Sequence, residues 1–111
     1  MYLFIETWKP TPAWMQLNKT DRTNYVTAVG GAIKQLIDSG VEIIAWGIND
    51  SDTDRHNGFD YYAVWKFPSK EMIKQFEAMV TDARWYTYFE QVNCSGLSTS
   101  PGDVLQHSIN L

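Results

Sequence analysis

The order of helix-like and strand-like segments is the feature that most limits how this chain of 111 residues can fold. Two long segments have apolar residues at the three-to-four spacing of amphipathic helices, and they span residues 18–40 and 69–83. Four segments rich in β-branched and aromatic residues are predicted strands: residues 1–8, 41–48, 59–67 and 88–94. The order βαββαβ predicts an α+β fold, a ferredoxin-like sandwich of one four-stranded antiparallel sheet with both helices on one face. Right-handed crossovers place the first and third strands in the centre of that sheet.

Capping residues mark the ends of the two predicted helices. Asn18 and Ser69 stand at the N-cap positions, where a side-chain oxygen accepts from a free backbone N–H group. Gly40 stands where a helix commonly ends in a left-handed residue. Gly30 and Gly31 lie inside the first helix, at a cost of roughly 1 kcal/mol each relative to alanine. They indicate either a close approach of another backbone or a kink.

Charge and composition exclude several classes of protein. The net charge is −4 and the nine Lys and Arg residues are scattered, whereas nucleic-acid binding needs a clustered basic surface. No apolar run approaches the ~18 residues of a membrane span. The single cysteine, Cys94, allows no intrachain disulfide and indicates a reducing cytoplasm. We expect it to be a small buried residue, because no histidine partner that would make it a nucleophile is visible. One domain over residues 1–111 is expected.

Metal-ligand patterns are incomplete in this chain. Asp50, Asp52 and Asp54 alternate as at the start of a calcium loop, but Arg55 and Tyr61 replace the Gly and the bidentate Glu that such a loop requires. A solvated hairpin tip is the expected structure there. No metal and no cofactor is predicted.

The two histidines, His56 and His107, are fewer than the ligands of a zinc site. His56 belongs to a polar loop over residues 49–58, which is either a solvated tip or a lid over a pocket. His107 becomes a proton shuttle only if the C-terminal tail folds over a pocket.

The two faces of the predicted sheet have different partners. We expect Leu3 and Ile5 to face the helices, so that alternation sends Phe4, Glu6 and Trp8 to the opposite side. That second face is too apolar for a monomer to leave exposed. A second copy packed sheet to sheet covers it most economically, which predicts a homodimer with a cavity between the sheets.

Carboxylates inside strands are the sharpest chemical signal in the sequence. Glu6 lies in a central strand and Glu90 in the strand expected beside it, although buried carboxylates cost several kcal/mol unless paired or protonated. The functional interpretation makes them catalytic, as a general base with a raised pKa in an aromatic cavity. The alternative is a salt bridge to Lys9, Lys66 or Arg84.

Four aromatic residues of the strands are candidate ligand-binding residues: Trp8, Trp46, Tyr61 and Trp65. Their ring faces suit a flat aromatic or polyketide-like small molecule. Plain core or interface packing is the alternative, because aromatic residues are common at both.

Three short motifs give the chain a family resemblance. Residues 11–14 (TPAW), 17–22 (LNKTDR) and 85–90 (WYTYFE) resemble the darcynin-type proteins of unknown function. These belong to the dimeric α+β barrel superfamily, which includes the cofactor-independent antibiotic-biosynthesis monooxygenases. The resemblance implies, for an enzyme, monooxygenase-like or isomerase-like chemistry without a cofactor, with Glu6 or Glu90 as the base. A non-catalytic ligand-binding or structural dimer is the alternative.

The tail over residues 103–111 has apolar residues at helical spacing but is too short to form a stable helix alone. We expect it to dock either on its own sheet edge or on the partner subunit.

Overall fold

Four strands form one antiparallel sheet in the computed structural model, which describes all 111 residues. The strands are β1 (Tyr2–Pro10), β2 (Glu42–Ile48), β3 (Tyr61–Phe67) and β4 (Phe89–Leu97). Their order across the sheet is β2-β3-β1-β4, so the first and third strands are central, as the sequence predicts. All three neighbouring pairs run antiparallel, and the architecture is α+β.

Five helices accompany the sheet: α1 (Pro12–Gln16), α2 (Lys19–Asp38), α3 (Lys70–Asp82), α4 (Trp85–Tyr88) and α5 (Pro101–Ile109). The predicted caps of the two long helices are confirmed. Asn18 Oδ1 accepts from the backbone N–H of Asp21 at 2.8 Å, and Ser69 Oγ accepts from that of Met72 at 3.2 Å. Gly40 follows α2 in the left-handed region, with φ +105°. None of the helices has the length and apolar character needed to cross a membrane.

The short helix α4, between α3 and β4, is an element that the sequence does not predict as a separate unit. Arg84 precedes it with a left-handed φ of 60°, which turns the chain out of α3. β4 consequently begins at Phe89 and continues to Leu97, three residues beyond the predicted end.

Both long helices pack on the face of the sheet that carries Phe4, Glu6 and Trp8, and all three of these residues are buried. Leu3 and Ile5 lie on the opposite face, which no helix covers and which we call the open face. The expectation that Leu3 and Ile5 face the helices is therefore wrong, and the two faces of β1 are exchanged relative to the prediction.

The volume between the two layers explains this orientation. α2 contains no buried residue, and its inner surface carries small side chains such as Ala28 and Ala32. Close packing then requires large side chains on the sheet side. Phe4 and Trp65 supply them, and each packs against Phe76 of α3 with ring centroids 5.5 and 5.4 Å apart.

The glycine pair of α2 has no close neighbour. A methyl group added at Gly30 or Gly31 meets no atom within 4 Å. Of the two alternatives for this pair, the close approach of another backbone is therefore wrong.

The C-terminal helix α5 projects from the rest of the chain. Every one of its residues is exposed, including Leu105 at 63% and Ile109 at 72%. The radius of gyration is 15.9 Å, compared with about 13 Å for a compact domain of this length. The tail therefore forms a helix but does not dock on its own sheet edge.

Cys94 lies opposite Ile5 in the β1–β4 register, so it belongs to the open face. It is exposed. The expectation that it is a small buried residue is therefore wrong, because no element of the chain covers this face.

Candidate functional site

A cavity of about 280 Å³ lies between the sheet and the two long helices. Its walls include Trp46 and Trp65 from the sheet, Ile33 from α2 and Met79 from α3. Thirteen of its 14 lining residues are hydrophobic, and the remaining one is Glu6. Its volume is close to the lower end of the ~300–1,000 Å³ typical of small-molecule sites. The cavity is formed within a single chain, whereas the sequence predicts one between two sheets.

Glu6 is buried in this cavity without an ion pair, with only 5% of its surface exposed. Burial raises the pKa of Glu6 to about 7, because the charged carboxylate loses its solvation. The indole N–H of Trp65 and the side-chain amide of Gln91 act in the opposite direction and lower this pKa in part. At neutral pH the carboxyl group therefore exists in both protonation states.

The proposed salt bridges of Glu6 are not formed. Lys9 pairs with Glu90 at 3.5 Å and Lys66 pairs with Glu42 at 3.3 Å, both at partly exposed positions on the open face. Arg84 makes no ion pair. The salt-bridge alternative for Glu6 is therefore wrong.

A chain of amide and indole groups positions Gln91 beside the carboxyl. Trp85 Nε1 donates to Gln91 Oε1 at 2.7 Å, and Gln91 Nε2 donates to Asn93 Oδ1 at 2.8 Å. An amide nitrogen has two protons, so the second N–H of Gln91 is free to interact with Glu6. The network therefore fixes the Gln91 amide with its donor side available to the carboxyl.

Trp65 Nε1 is the one buried side-chain nitrogen or oxygen that completes no hydrogen bond. It nevertheless lies close enough to the Glu6 carboxyl to lower the pKa of that group. A buried donor without a partner costs roughly 1–3 kcal/mol. The cavity consequently contains a free indole donor close to a carboxyl acceptor.

The structure brings Glu6, Trp46 and Trp65 into one cavity, and it places the other two aromatic candidates in a neighbouring groove. Trp8 and Tyr61 line that groove together with Trp46, which borders both spaces. The rings of Trp8 and Trp46 meet edge to face with centroids 5.2 Å apart. The four candidate rings therefore form two adjoining surfaces rather than one.

Glu90 does not belong to either space. It lies opposite Lys9 in the β1–β4 register, on the open face, and its side chain is 61% exposed. The expectation that Glu6 and Glu90 serve one cavity is not met by this arrangement.

The two histidines also lie outside the cavity. His56 Nδ1 accepts from the backbone N–H of Gly58 at 2.9 Å in the exposed β2–β3 loop, and His107 lies on the exposed helix α5. No group of three or more His, Cys, Asp and Glu side chains is close enough together to hold a metal ion.

Sequence reasoning missed Tyr25, Trp85 and Gln91 as parts of the site. Tyr25 Oη donates to the backbone carbonyl of Ala83 at 2.8 Å, which ties α2 to the end of α3 beside the cavity. Burial is the larger of two causes that raise the pKa of Tyr25 above its usual value, and the electrostatic effect of the nearby Tyr88 is the smaller. A signal for Gln91 existed in the strand alternation, because antiparallel pairing of β1 and β4 places it on the same face as Glu6.

The chain matches a family of unknown function, DUF6616, over residues 1–111, and it belongs to that family. Comparison with curated proteins gives no match. The activity must therefore be inferred from the geometry of the cavity.

Proposed function

We propose that this protein binds a small, mainly aromatic organic molecule in the cavity between its sheet and its helices. The observation that supports this proposal is a single buried carboxyl group, Glu6, in an otherwise hydrophobic cavity. Burying an ionisable group without an ion pair is costly, and such groups cluster at functional sites. The aromatic walls favour a flat ligand, and Glu6 supplies the polar contact that orients it.

The pKa of Glu6, about 7, is suited to proton transfer at neutral pH. If the protein is an enzyme, Glu6 removes a proton from one atom of the ligand and returns it to another, as an isomerase does. This step needs no redox partner. Monooxygenase-like chemistry is suggested only by the resemblance to the darcynin-type proteins and their superfamily. Non-catalytic binding in the same cavity is the second candidate function.

Filling the cavity tests this proposal. Isothermal titration calorimetry with indole, which does not rely on tryptophan fluorescence, should show binding to the native chain. Ala32→Phe places a ring in the cavity and should reduce that binding at least tenfold. Thr27→Phe, at an exposed position of the same helix that lines neither space, is the matched control and should bind indole as the native chain does. Equal binding by both variants, or no binding by the native chain, contradicts the proposal.

We further propose that two copies pack through their open faces, which gives a ferredoxin-like dimeric α+β barrel. Leu3, Ile5, Val64 and Val92 form the apolar centre of this face, and Val92 is 58% exposed. A four-stranded sheet of this length offers roughly 500 Å² per protomer, about 1,000 Å² for a pair. That area is at the lower limit of specific interfaces.

The charges of the open face favour a second copy as the partner. The two ion pairs of this face, Lys9–Glu90 and Lys66–Glu42, leave it without net charge, although the whole chain carries −4. Two copies therefore meet without the repulsion that other surfaces of this acidic chain would bring.

The helix α5 supplies additional area for this dimer. Val104, Leu105 and Ile109 are exposed on α5, and seating them on the partner would bring the interface into the usual size range. The exposed Cys94 of the open face fits a reducing cytoplasm, where an unpaired thiol stays reduced.

A further inference from the structure

We propose that the cavity selects aromatic ligands that carry a hydroxyl group, a phenol or an enol, held between the Trp65 indole N–H and the Glu6 carboxyl. The hydroxyl oxygen accepts a hydrogen bond from Trp65 Nε1, and the hydroxyl O–H donates a hydrogen bond to the Glu6 carboxylate. This inference rests on the proposed function, because it names the class of ligand for the same cavity.

The polar groups of the cavity set what the ligand must offer. Glu6 is the one residue lining the cavity that is not hydrophobic. Trp65 Nε1 adds one hydrogen-bond donor without a partner. Gln91 is committed through its contacts with Trp85 and Asn93, and its remaining N–H group interacts with Glu6 itself. When Glu6 is ionised, the cavity therefore offers one strong acceptor and one free donor.

A hydroxyl group satisfies both of these with a single oxygen atom, since it both donates and accepts. An ether oxygen accepts a hydrogen bond from the indole N–H but has no O–H group to donate one to Glu6. A quaternary ammonium group suits aromatic walls and a carboxylate, but it leaves Trp65 Nε1 without an acceptor. A ligand carboxylate would bring a second negative charge to a buried site.

The size of the cavity fits this class of ligand. An engineered apolar cavity of about 150 Å³ holds benzene, so the 280 Å³ found here accommodates one or two rings. Trp46 and Trp65 meet edge to face at 5.7 Å, and Phe76 packs on Trp65. These contacts hold the Trp65 ring, and with it the direction of its N–H group.

Four naphthalene derivatives measured on the native full-length chain test the inference. The probes are 2-naphthol, 2-methoxynaphthalene, naphthalene and a naphthylmethyl-trimethylammonium salt, with affinities determined by calorimetry. We expect 2-naphthol to bind at least tenfold more tightly than each of the other three. Similar affinities for naphthol, ether and hydrocarbon would overturn the inference while leaving the proposed binding function intact. If the ammonium probe binds most tightly, the inference is also overturned, and if none of the four binds, the proposed function fails with it.

Substitutions locate the preference at the two groups. Trp65→Phe keeps a ring but removes the N–H donor, and Glu6→Leu removes the acceptor. Each should lower the affinity for 2-naphthol about tenfold and leave that for naphthalene unchanged. Trp14→Phe, which removes an indole donor outside the cavity, is the matched control and should keep the preference for naphthol. An unchanged preference in Trp65→Phe would overturn the assignment, and the probe comparison on the native chain stands independently if that variant does not fold.

Discussion

Glu6 and Glu90 lie on adjacent strands but on opposite faces of the sheet. Glu6 is opposite Asn93 and points into the space under the helices, whereas Glu90 is opposite Lys9 and forms an ion pair with it on the open face. The Glu6 carboxyl group is thus desolvated and has no cation beside it, whereas the Glu90 carboxylate is partly hydrated and paired with a lysine. The two residues should respond differently when their charge is removed.

Replacing Glu6 with Gln should make the protein more stable at alkaline pH. The pKa of Glu6 is about 7 in the folded chain and 4.5 in the reference state. The folded state therefore holds the proton more tightly, and its stability falls as the pH rises from about 4.5 through 7. The shift corresponds to a penalty of about 3 kcal/mol above pH 7. In urea unfolding, Glu6→Gln should gain up to that amount at pH 8 and little at pH 4.5.

The control for this prediction is Glu90→Gln, which removes a carboxylate from an exposed ion pair. Its stability at pH 8 should differ from that of the native chain by less than about 1 kcal/mol. A Glu6→Gln protein that is less stable than the native chain at pH 8 would show that the charged form of Glu6 is stabilised by a contact that the cavity does not display.

A charge at the centre of the open face should prevent dimer formation. Ile5 is half-buried among Val64 and Cys94, its register partners on this face. Ile5→Lys places a cation at each side of the symmetric contact, which is unfavourable when both are desolvated. Sedimentation at micromolar concentration should show the native chain as a dimer and Ile5→Lys as a monomer. Met15→Lys, at an exposed position on α1, should remain dimeric, and a native chain that sediments as a monomer contradicts the proposed assembly.

Removing the C-terminal tail should weaken the dimer without unfolding the domain. Every residue of α5 is exposed within its own chain. Deletion of residues 103–111 should therefore leave the unfolding curve of the monomeric Ile5→Lys protein unchanged. In the otherwise native chain it should raise the dimer dissociation constant at least tenfold, because Leu105 and Ile109 no longer bury apolar surface on the partner. An unchanged dissociation constant would show that α5 does not contribute to the interface.

Local features of this fold could be predicted from the sequence, because neighbouring residues determine them. The caps at Asn18 and Ser69 and the left-handed Gly40 are satisfied within a few residues of chain. The order of the strands follows from the order of the segments and the handedness of crossovers. Strand alternation also grouped Phe4, Glu6 and Trp8 correctly on one face.

The choice of face could not be predicted in the same way. It depends on the volume that α2 and α3 leave above the sheet, and small residues such as Ala28 and Ala32 create that volume. The sequence predicts a desolvated Glu6 but assigns the cause to a second copy, whereas the helices of the same chain bury it. Gln91 and Trp85 were missed because their hydrogen bond joins α4 to β4 through a turn that starts at Arg84.

Alanine at the glycine pair of α2 should stabilise the protein. Gly30 and Gly31 lie inside a helix with ordinary negative φ, and a methyl group at either position meets no atom within 4 Å. Each Gly→Ala change should therefore add about 1 kcal/mol to the free energy of unfolding, since alanine loses less backbone entropy in a helix.

Gly40→Ala is the opposing control: its φ of +105° is strained for alanine, and it should cost about 1–2 kcal/mol. Urea unfolding measures all three changes. Because Gly30 also lines the groove beside Trp46, a Gly30→Ala protein that is no more stable than the native chain would show that the groove closes around this position in solution.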